Sequence, residues 1–278
     1  MSGTKVRMIE RTGRHKFSEL YRMHTLTPTP PYRKPSLFLP FANLIAAEST
    51  RHGGISPAPF QSLNLGTNTE DAPENVAENR HRFFAALGAN ANQLAVSHQI
   101  HGTAVLIATQ PGHYNGYDAL ITNQTGLVVG VTVADCVPVL VYDSCTHAVV
   151  AIHAGWRGTV GGIVTRTLAR MQQQFGTQPA NCYAYVGTCI DDCSFEVGPE
   201  VAAQFAGSFV RTDADMQRSF VDLKAANQQQ LLDFGIPVTQ IEVSTYSTVL
   251  NNADYFSYRK EGGQTGRMLA VIGLTVLE

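Results

Sequence analysis

Leu127-Val-Val-Gly-Val-Thr-Val-Ala-Asp-Cys-Val-Pro-Val-Leu-Val-Tyr-Asp-Ser-Cys-Thr-His-Ala-Val-Val-Ala-Ile-His-Ala-Gly155 is the stretch that decides the fold. It contains three apolar runs, Leu127–Val133, Val139–Tyr142 and Ala148–Ile152. Each is short, rich in β-branched residues and bounded by turn formers, so each reads as a strand rather than a helix. The longest apolar stretch, Leu127 to Tyr142, is sixteen residues and is interrupted by Asp135, Cys136 and Pro138. That is too short and too broken to cross a bilayer.

Similar runs recur outward from this centre: Leu37–Phe41, Leu94–Ser97, Val105–Ala108, Tyr183–Val186, Ile241–Ser244 and Met268–Ile272. Helices are predicted between them. One begins at Asp71-Ala-Pro-Glu74, where a carboxylate cap and an early proline mark a start, and it stops at Gly88. Two more run from Gly161 to Phe175 and from Leu223 to Phe234, closed by Gly176 and Gly235. Strands outnumber helices and do not alternate strictly with them, which predicts an α+β fold with mixed sheets over a doubly wound one. No Pro- or Ser-rich linker and no repeat interrupts residues 36–278, read as a single domain. Residues 1–35 are basic and polar, lack helical or strand periodicity, and read as a poorly ordered N-terminal arm; Met23 is an alternative start.

Composition excludes several classes. The 278 residues are 44% hydrophobic and 15% charged, which suits a buried core and not a disordered chain. Twenty basic against twenty-two acidic residues leave a formal charge of −2, so no global field favours nucleic acid or an anionic membrane. The N-terminus contains no apolar run of the kind a secretory signal needs, and a cytoplasmic location is expected. The five cysteines, Cys136, Cys145, Cys182, Cys189 and Cys193, are odd in number and do not form a secreted disulfide framework. Cys189 and Cys193 read as packing or loop thiols.

The chemistry concentrates at the ends of strand-like runs. Ser97-His-Gln-Ile-His-Gly102, Val131-Thr-Val-Ala-Asp-Cys136 and Ala151-Ile-His-Ala-Gly155 each finish on a metal-ligating side chain. His101, Cys136 and His153 supply imidazole and thiolate, zinc's preferred donors, and three protein ligands leave a fourth position open as catalytic zinc requires. Their wide separation suits convergence of strand ends. His98 is set aside because alternation along a strand would turn it away from His101, and His147 is set aside as a solvated turn residue. Trp156-Arg-Gly-Thr-Val-Gly-Gly162 opens a helix directly after His153, and Arg157 and Gly158 are the phosphate-binding candidates. The fingerprint G-x-G-x-x-G is absent. Asp118, Asp135 and Glu196 are carboxylates able to move protons or orient a ligand histidine, with Asp118 and Asp135 preferred as catalytic candidates.

Several motifs occur in a fixed order: Gly53-Gly-Ile-Ser56, Ser62-Leu-Asn-Leu-Gly66, Glu74-Asn-Val-Ala-Glu-Asn-Arg80, Gln99-Ile-His-Gly102, Asp118-Ala-Leu-Ile-Thr122, Ala134-Asp-Cys136, His153-Ala-Gly-Trp-Arg-Gly158, Cys193-Ser-Phe-Glu-Val-Gly198 and Thr265-Gly-Arg-Met268. With these the chain resembles, from about residue 36 to its C-terminus, the bacterial laccase-domain family, labelled multicopper polyphenol oxidase and also purine nucleoside phosphorylase. The resemblance implies an α+β fold with mixed sheets flanked by helices, and zinc on His101, Cys136 and His153. It implies phosphorolysis of adenosine, inosine, guanosine and methylthioadenosine, with hydrolytic deamination of adenosine. Asn64, inside the Ser62–Gly66 motif, joins Arg157 and Gly158 as a substrate- or phosphate-binding candidate. Purine nucleosides and phosphate are the expected partners of a monomer or homodimer, with no nucleic acid and no membrane. Thr188, Ser194 and Ser244 stand where the family often has proline or cysteine, and none is a proposed ligand.

The oxidase label conflicts with ligand arithmetic. A laccase needs a blue-copper centre and a further copper cluster, whereas this chain has nine histidines and no His-x-His pair. Copper is therefore disfavoured. A cysteine hydrolase, with Cys136 as nucleophile and His153 as base, fits the same residue types. A pure interaction module would leave the Cys/His/Gly-Trp-Arg-Gly cluster without a role.

Overall fold

A computed structural model describes residues 29–213 and 217–275. Met23 and most of the expected arm lie outside the described residues. The end of that segment does not stay apart from the domain: β1 (Tyr32–Arg33) pairs antiparallel with β2 (Leu44–Ser49).

Two six-stranded sheets form the centre. The first has the order β1, β2, β15 (Met268–Leu274), β7 (Val128–Val133), β3 (Leu94–His98) and β5 (Gly112–Asn115). The second runs β14 (Ile241–Val243), β10 (Cys182–Val186), β8 (Val137–Asp143), β9 (Val149–Ala154), β6 (Ala119–Thr122) and β4 (Val105–Ile107). Both are mixed: β3 pairs parallel with β5 and β7, while β7–β15 and β8–β9 are antiparallel. A small third sheet orders β11 (Glu196–Val197), β13 (Arg218–Val221) and β12 (Val210–Asp213).

The inner faces of the two large sheets meet. Ala46, Ala95, Val129 and Ile272 of the first pack with Leu120, Leu140, Tyr142 and Ala151 of the second. Strands covered on both faces read as continuous apolar runs, which is why β7, β8 and β9 were visible in the sequence. On the outer face of the first sheet, α1 (Pro73–Leu87) packs Phe83 and Phe84 against Ala47, Leu94 and Val271. On the outer face of the second lie α3 (Ile163–Phe175) and α5 (Leu223–Phe234), with Leu168, Met171 and Leu231 against Val139, Val150 and Ile152. The fold is α+β, with mixed sheets flanked by helices.

Local departures have local causes. Leu37–Phe41 is not a strand but contains a 3-10 turn at Ser36–Phe38. Pro35 and Pro40 carry no N–H for a ladder. Helix α1 starts at Pro73, and Asp71 receives the N–H of Ala72 and the side chain of Asn75 instead of capping the helix itself. The helix expected from Gly161 begins at Ile163, because Gly162, whose φ of +73° is left-handed, breaks it from the separate short α2 (Trp156–Val160). The short α4 (Pro199–Ala202) lies beside β13.

Strand β2 was missed because Leu-Ile-Ala-Ala-Glu-Ser has neither alternation nor β-branched density. Its Glu48 is buried and accepts the Tyr185 hydroxyl at 2.9 Å, the Thr188 N–H at 2.8 Å and the Thr188 hydroxyl at 2.9 Å. Burial pushes its carboxyl above the ordinary 4.5, and these donors offset only part of that. A raised folded value means that the group's stabilising contribution is complete below about 4.5 and is lost as pH rises through the folded value. Glu48→Gln, which cannot ionise, should therefore gain stability relative to wild type as pH rises from 5 toward 8. Parallel denaturation midpoints for the two proteins across that range would contradict this.

Candidate metal centre and its cavity

The chain crosses from the first sheet to the second at Ala134-Asp135-Cys136, between β7 and β8. Asp135 makes the crossing with φ +85°, a left-handed conformation uncommon outside glycine. The crossing leaves Cys136 beside the end of β9, where Pro138 pairs with His153. His101 arrives from the loop after β3, also left-handed with φ +59°. The donor atoms of His101, Cys136 and His153 all lie within 4.8 Å of one another. The two imidazole rings stand edge to face with centroids 4.9 Å apart. Gly155 closes the arrangement, since a Cβ there would sit 3.0 Å from the His101 ring and 3.2 Å from the Cys136 sulfur.

Asp118, fully buried in the loop before β6, organises this group from behind. Its Oδ1 accepts the Nδ1–H of His153 at 2.8 Å and the N–H of His101 at 2.9 Å, while Oδ2 accepts the N–H of Gly102 at 2.8 Å and of Ile100 at 3.3 Å. With Nδ1 engaged, His153 offers Nε2 to the group, the outer-shell arrangement typical of metal-binding histidine. Burial alone would raise the Asp118 carboxyl; its hydrogen bond and charge interaction with His153 and the backbone donors hold it below its ordinary value. Burial also pushes the Cys136 thiol up, but the facing imidazoles bring it down to about 6. His153, lowered by burial, is raised to about 9 by Cys136 and Asp118.

The three side chains form one wall of a cavity of about 490 Å³, within the range of small-molecule sites. Val133, Ile190 and Phe195 give it apolar surface, and Asp135, Arg259 and Arg267 give it charge. Of the three carboxylates named from sequence, only Asp135 lines this cavity. It accepts the Thr248 hydroxyl at 2.5 Å and the Arg259 N–H at 2.6 Å. Asp118 stands behind the histidines.

Three phosphate or substrate candidates are not in the wall. Arg157 is exposed and lies over the Trp156 ring, 4.4 Å from its centroid, and Gly158 packs beneath the carbonyl of Gly102. Their helix α2 is only five residues long, which leaves it little dipole for an anion. Asn64 is fully buried, and its Oδ1 accepts the N–H of Gly66 and of Arg267. Glu196 is exposed and pairs with Arg218 at 3.3 Å. His98, set aside from the sequence, does line the cavity, with the Asn68 amide 2.7 Å from its Nδ1. Strand alternation does not turn His98 away from His101, because β3 ends at His98 and does not reach His101. Arg259 and Arg267 were not named as site residues: Arg267 lies in the Thr265–Met268 motif, but the place of both at the cavity depends on a loop before β15 folding back across the site.

Two imidazoles and a thiolate fit a single borderline-soft metal ion. A multicopper centre does not fit, because no second cluster of histidines exists among the described residues. His52 bonds Asp254 at 2.9 Å, and His147 bonds the Tyr142 hydroxyl at 3.1 Å, far from forming a second centre. Among the described residues no helix is long and apolar enough to cross a membrane.

The family model described as "Multi-copper polyphenol oxidoreductase laccase" matches residues 45–275. A Deinococcus radiodurans protein named purine nucleoside phosphorylase is 40% identical over 247 residues, covering 88% of this chain and 93% of that one. Purine nucleoside phosphorylase YfiH of Escherichia coli is 37% identical over 82% of this chain and 93% of its own. The crystal structure of YlmD from Geobacillus stearothermophilus superposes with a TM-score of 0.84 at 31% identity, covering 89% of this chain and 97% of that one.

Proposed function

Because the chain belongs to the family described as multi-copper polyphenol oxidoreductase laccase, with relatives named purine nucleoside phosphorylase, we propose that it cleaves purine nucleosides with phosphate, yielding free base and ribose 1-phosphate. The observation that carries this reading is the His101–Cys136–His153 group opening onto a cavity with an apolar side for a base and a cationic side for an anion. Adenosine, inosine, guanosine and methylthioadenosine are the proposed substrates. Deamination of adenosine, in which a water oxygen replaces the 6-amino group and ammonia leaves, is proposed for the same cavity.

Zinc is the proposed ion on the three side chains, where it would supply Lewis acidity to polarise a substrate oxygen. Asp118 fixes the His153 tautomer and the His101 loop. Asp135, the carboxylate that reaches the cavity, is the group placed to accept or return a proton. Phe195 and Ile190 exclude water from the base.

A second reading is favoured by one observation. The lowered Cys136 thiol, the raised His153 and the Asp118 acceptor form a Cys-His-Asp series that could serve a thiol nucleophile. One assay separates the two readings. Adenosine and inosine are supplied with and without phosphate to metal-loaded and metal-stripped protein. Phosphate-dependent ribose 1-phosphate that disappears on stripping is the expected result. Full activity in stripped, folded protein that is abolished by alkylating Cys136 would establish the thiol reading instead.

A further inference from the structure

Arg259 and Arg267 line the cavity, yet neither takes part in an ion pair among the described residues. Arg267 donates from Nη1 to the carbonyls of Thr265 at 2.7 Å and Gly266 at 2.9 Å, and its other guanidinium donors have no protein acceptor among the described residues. Arg259 donates from Nη1 to the carbonyl of Glu196 at 3.1 Å, and its remaining donors are likewise unmatched. Two guanidinium forks on one concave surface, neither within ion-pair distance of a carboxylate among the described residues although Asp135 and Glu261 act on Arg267 from further off, form a receptor for a tetrahedral oxyanion.

Arg267 is also held in place more firmly than a solvated arginine would be. Its backbone N–H is received by Asn64 Oδ1 at 2.9 Å. Its side-chain stem passes over Gly66, where a Cβ would lie 2.6 Å from Cγ and 2.7 Å from Cβ of the arginine. Asn64 is in turn anchored to Thr69 and to Asp71, both at 2.9 Å. The guanidinium carbon stands 5.4 Å from the Tyr258 ring centroid, within cation–π range. The Ser62–Gly66 and Thr265–Met268 motifs thus meet, about two hundred residues apart in sequence, to seat one side chain. Arg267, Tyr258 and Asn68 are shared with an adjoining cavity of about 270 Å³, so the guanidinium stands at the partition between the two spaces.

We infer that Arg267, assisted by Arg259, is the subsite for the phosphate co-substrate, and that Asn64 and Gly66 are positioning residues for it. This rests on the phosphorolysis reading only for the identity of the anion. The apolar wall of Phe195, Ile190 and Val133 is left for the base, with the His101–Cys136–His153 group beside both.

The test measures binding of inorganic phosphate alone, by phosphorus NMR titration of the metal-loaded protein, together with phosphorolysis kinetics. Arg267→Gln should weaken phosphate binding roughly 10- to 100-fold, the loss expected of a charge-assisted pair, with metal content and nucleoside affinity unchanged. Arg267→Lys should recover part of it, and Gly66→Ala should mimic the loss by displacing the stem. Arg259→Gln, at an exposed position, covers the case in which Arg267→Gln fails to fold and should raise the phosphate KM. A nucleoside 5′-monophosphate is the second arm, and binding that depends on Arg267 for the nucleotide but not for free phosphate overturns the assignment. So does an unchanged phosphate KM in both Arg267→Gln and Arg259→Gln while phosphorolysis persists. Arg267-dependent phosphate binding without any phosphorolysis would uphold the subsite and refute the proposed activity.

Discussion

Cys136→Ser should strip the protein of stoichiometric metal and abolish phosphorolysis while leaving it folded. A hydroxyl at this position keeps the shape but is not ionised near neutral pH, whereas the thiol is brought down to about 6 by the imidazoles facing it. Loss of an outer-shell partner typically costs about 10–100-fold in metal affinity, and loss of a charged ligand should exceed that. The same electrostatics fix the sign of the pH dependence. In the metal-free protein His153 holds its proton up to about 9, because Cys136 and Asp118 face it. A metal ion needs the neutral ring, so uptake near neutral pH should release a proton and tighten as pH rises toward 9. Elemental analysis of wild type and variant, with proton release followed in weak buffer, checks both parts. Unchanged metal stoichiometry in Cys136→Ser would remove the thiolate from the ligand set.

Asp118→Ala should produce the largest loss of stability at the site, about 3–5 kcal/mol by analogy with breaking a buried charge pair. The carboxylate has no solvent exposure and serves three backbone N–H groups and the His153 ring at once. Its removal leaves all four donors without partners, and each such group costs roughly 1–3 kcal/mol when it stays buried. Metal affinity should fall with it, because His153 loses the acceptor that fixes its tautomer. Asp118→Asn should lose less, keeping one acceptor oxygen but presenting an amide to donors. The folded carboxyl is lowered below its ordinary value. The advantage of wild type over Asp118→Asn is therefore present above the unfolded value, near 3.8, and should close as pH falls through the folded one. Urea midpoints between pH 3 and 7 test this, and a constant gap across that range would show that the charge of Asp118 contributes nothing.

The sequence by itself determined the strands buried on both faces, the glycine-terminated helix ends and the three side chains that make up the candidate metal group. These are local properties: β7, β8 and β9 are continuous apolar runs, Gly88, Gly176 and Gly235 take left-handed φ values, and His101, Cys136 and His153 lie at or just past the ends of such runs. Tertiary structure alone decided the rest. Strand β2 lies between β1 and β15, yet its alanines and Glu48 carry no strand period, because partners on both sides substitute for propensity. Asp118 and Asp135 look equivalent in sequence, but one is sealed behind the histidines and the other lines the cavity. Arg157 follows His153 in sequence and lies outside the cavity wall, while Arg267, more than a hundred residues further along, lines it. Chain proximity reports the direction of one strand end, whereas a cavity wall is set by which segments fold across it, and only the packed sheets bring those segments together.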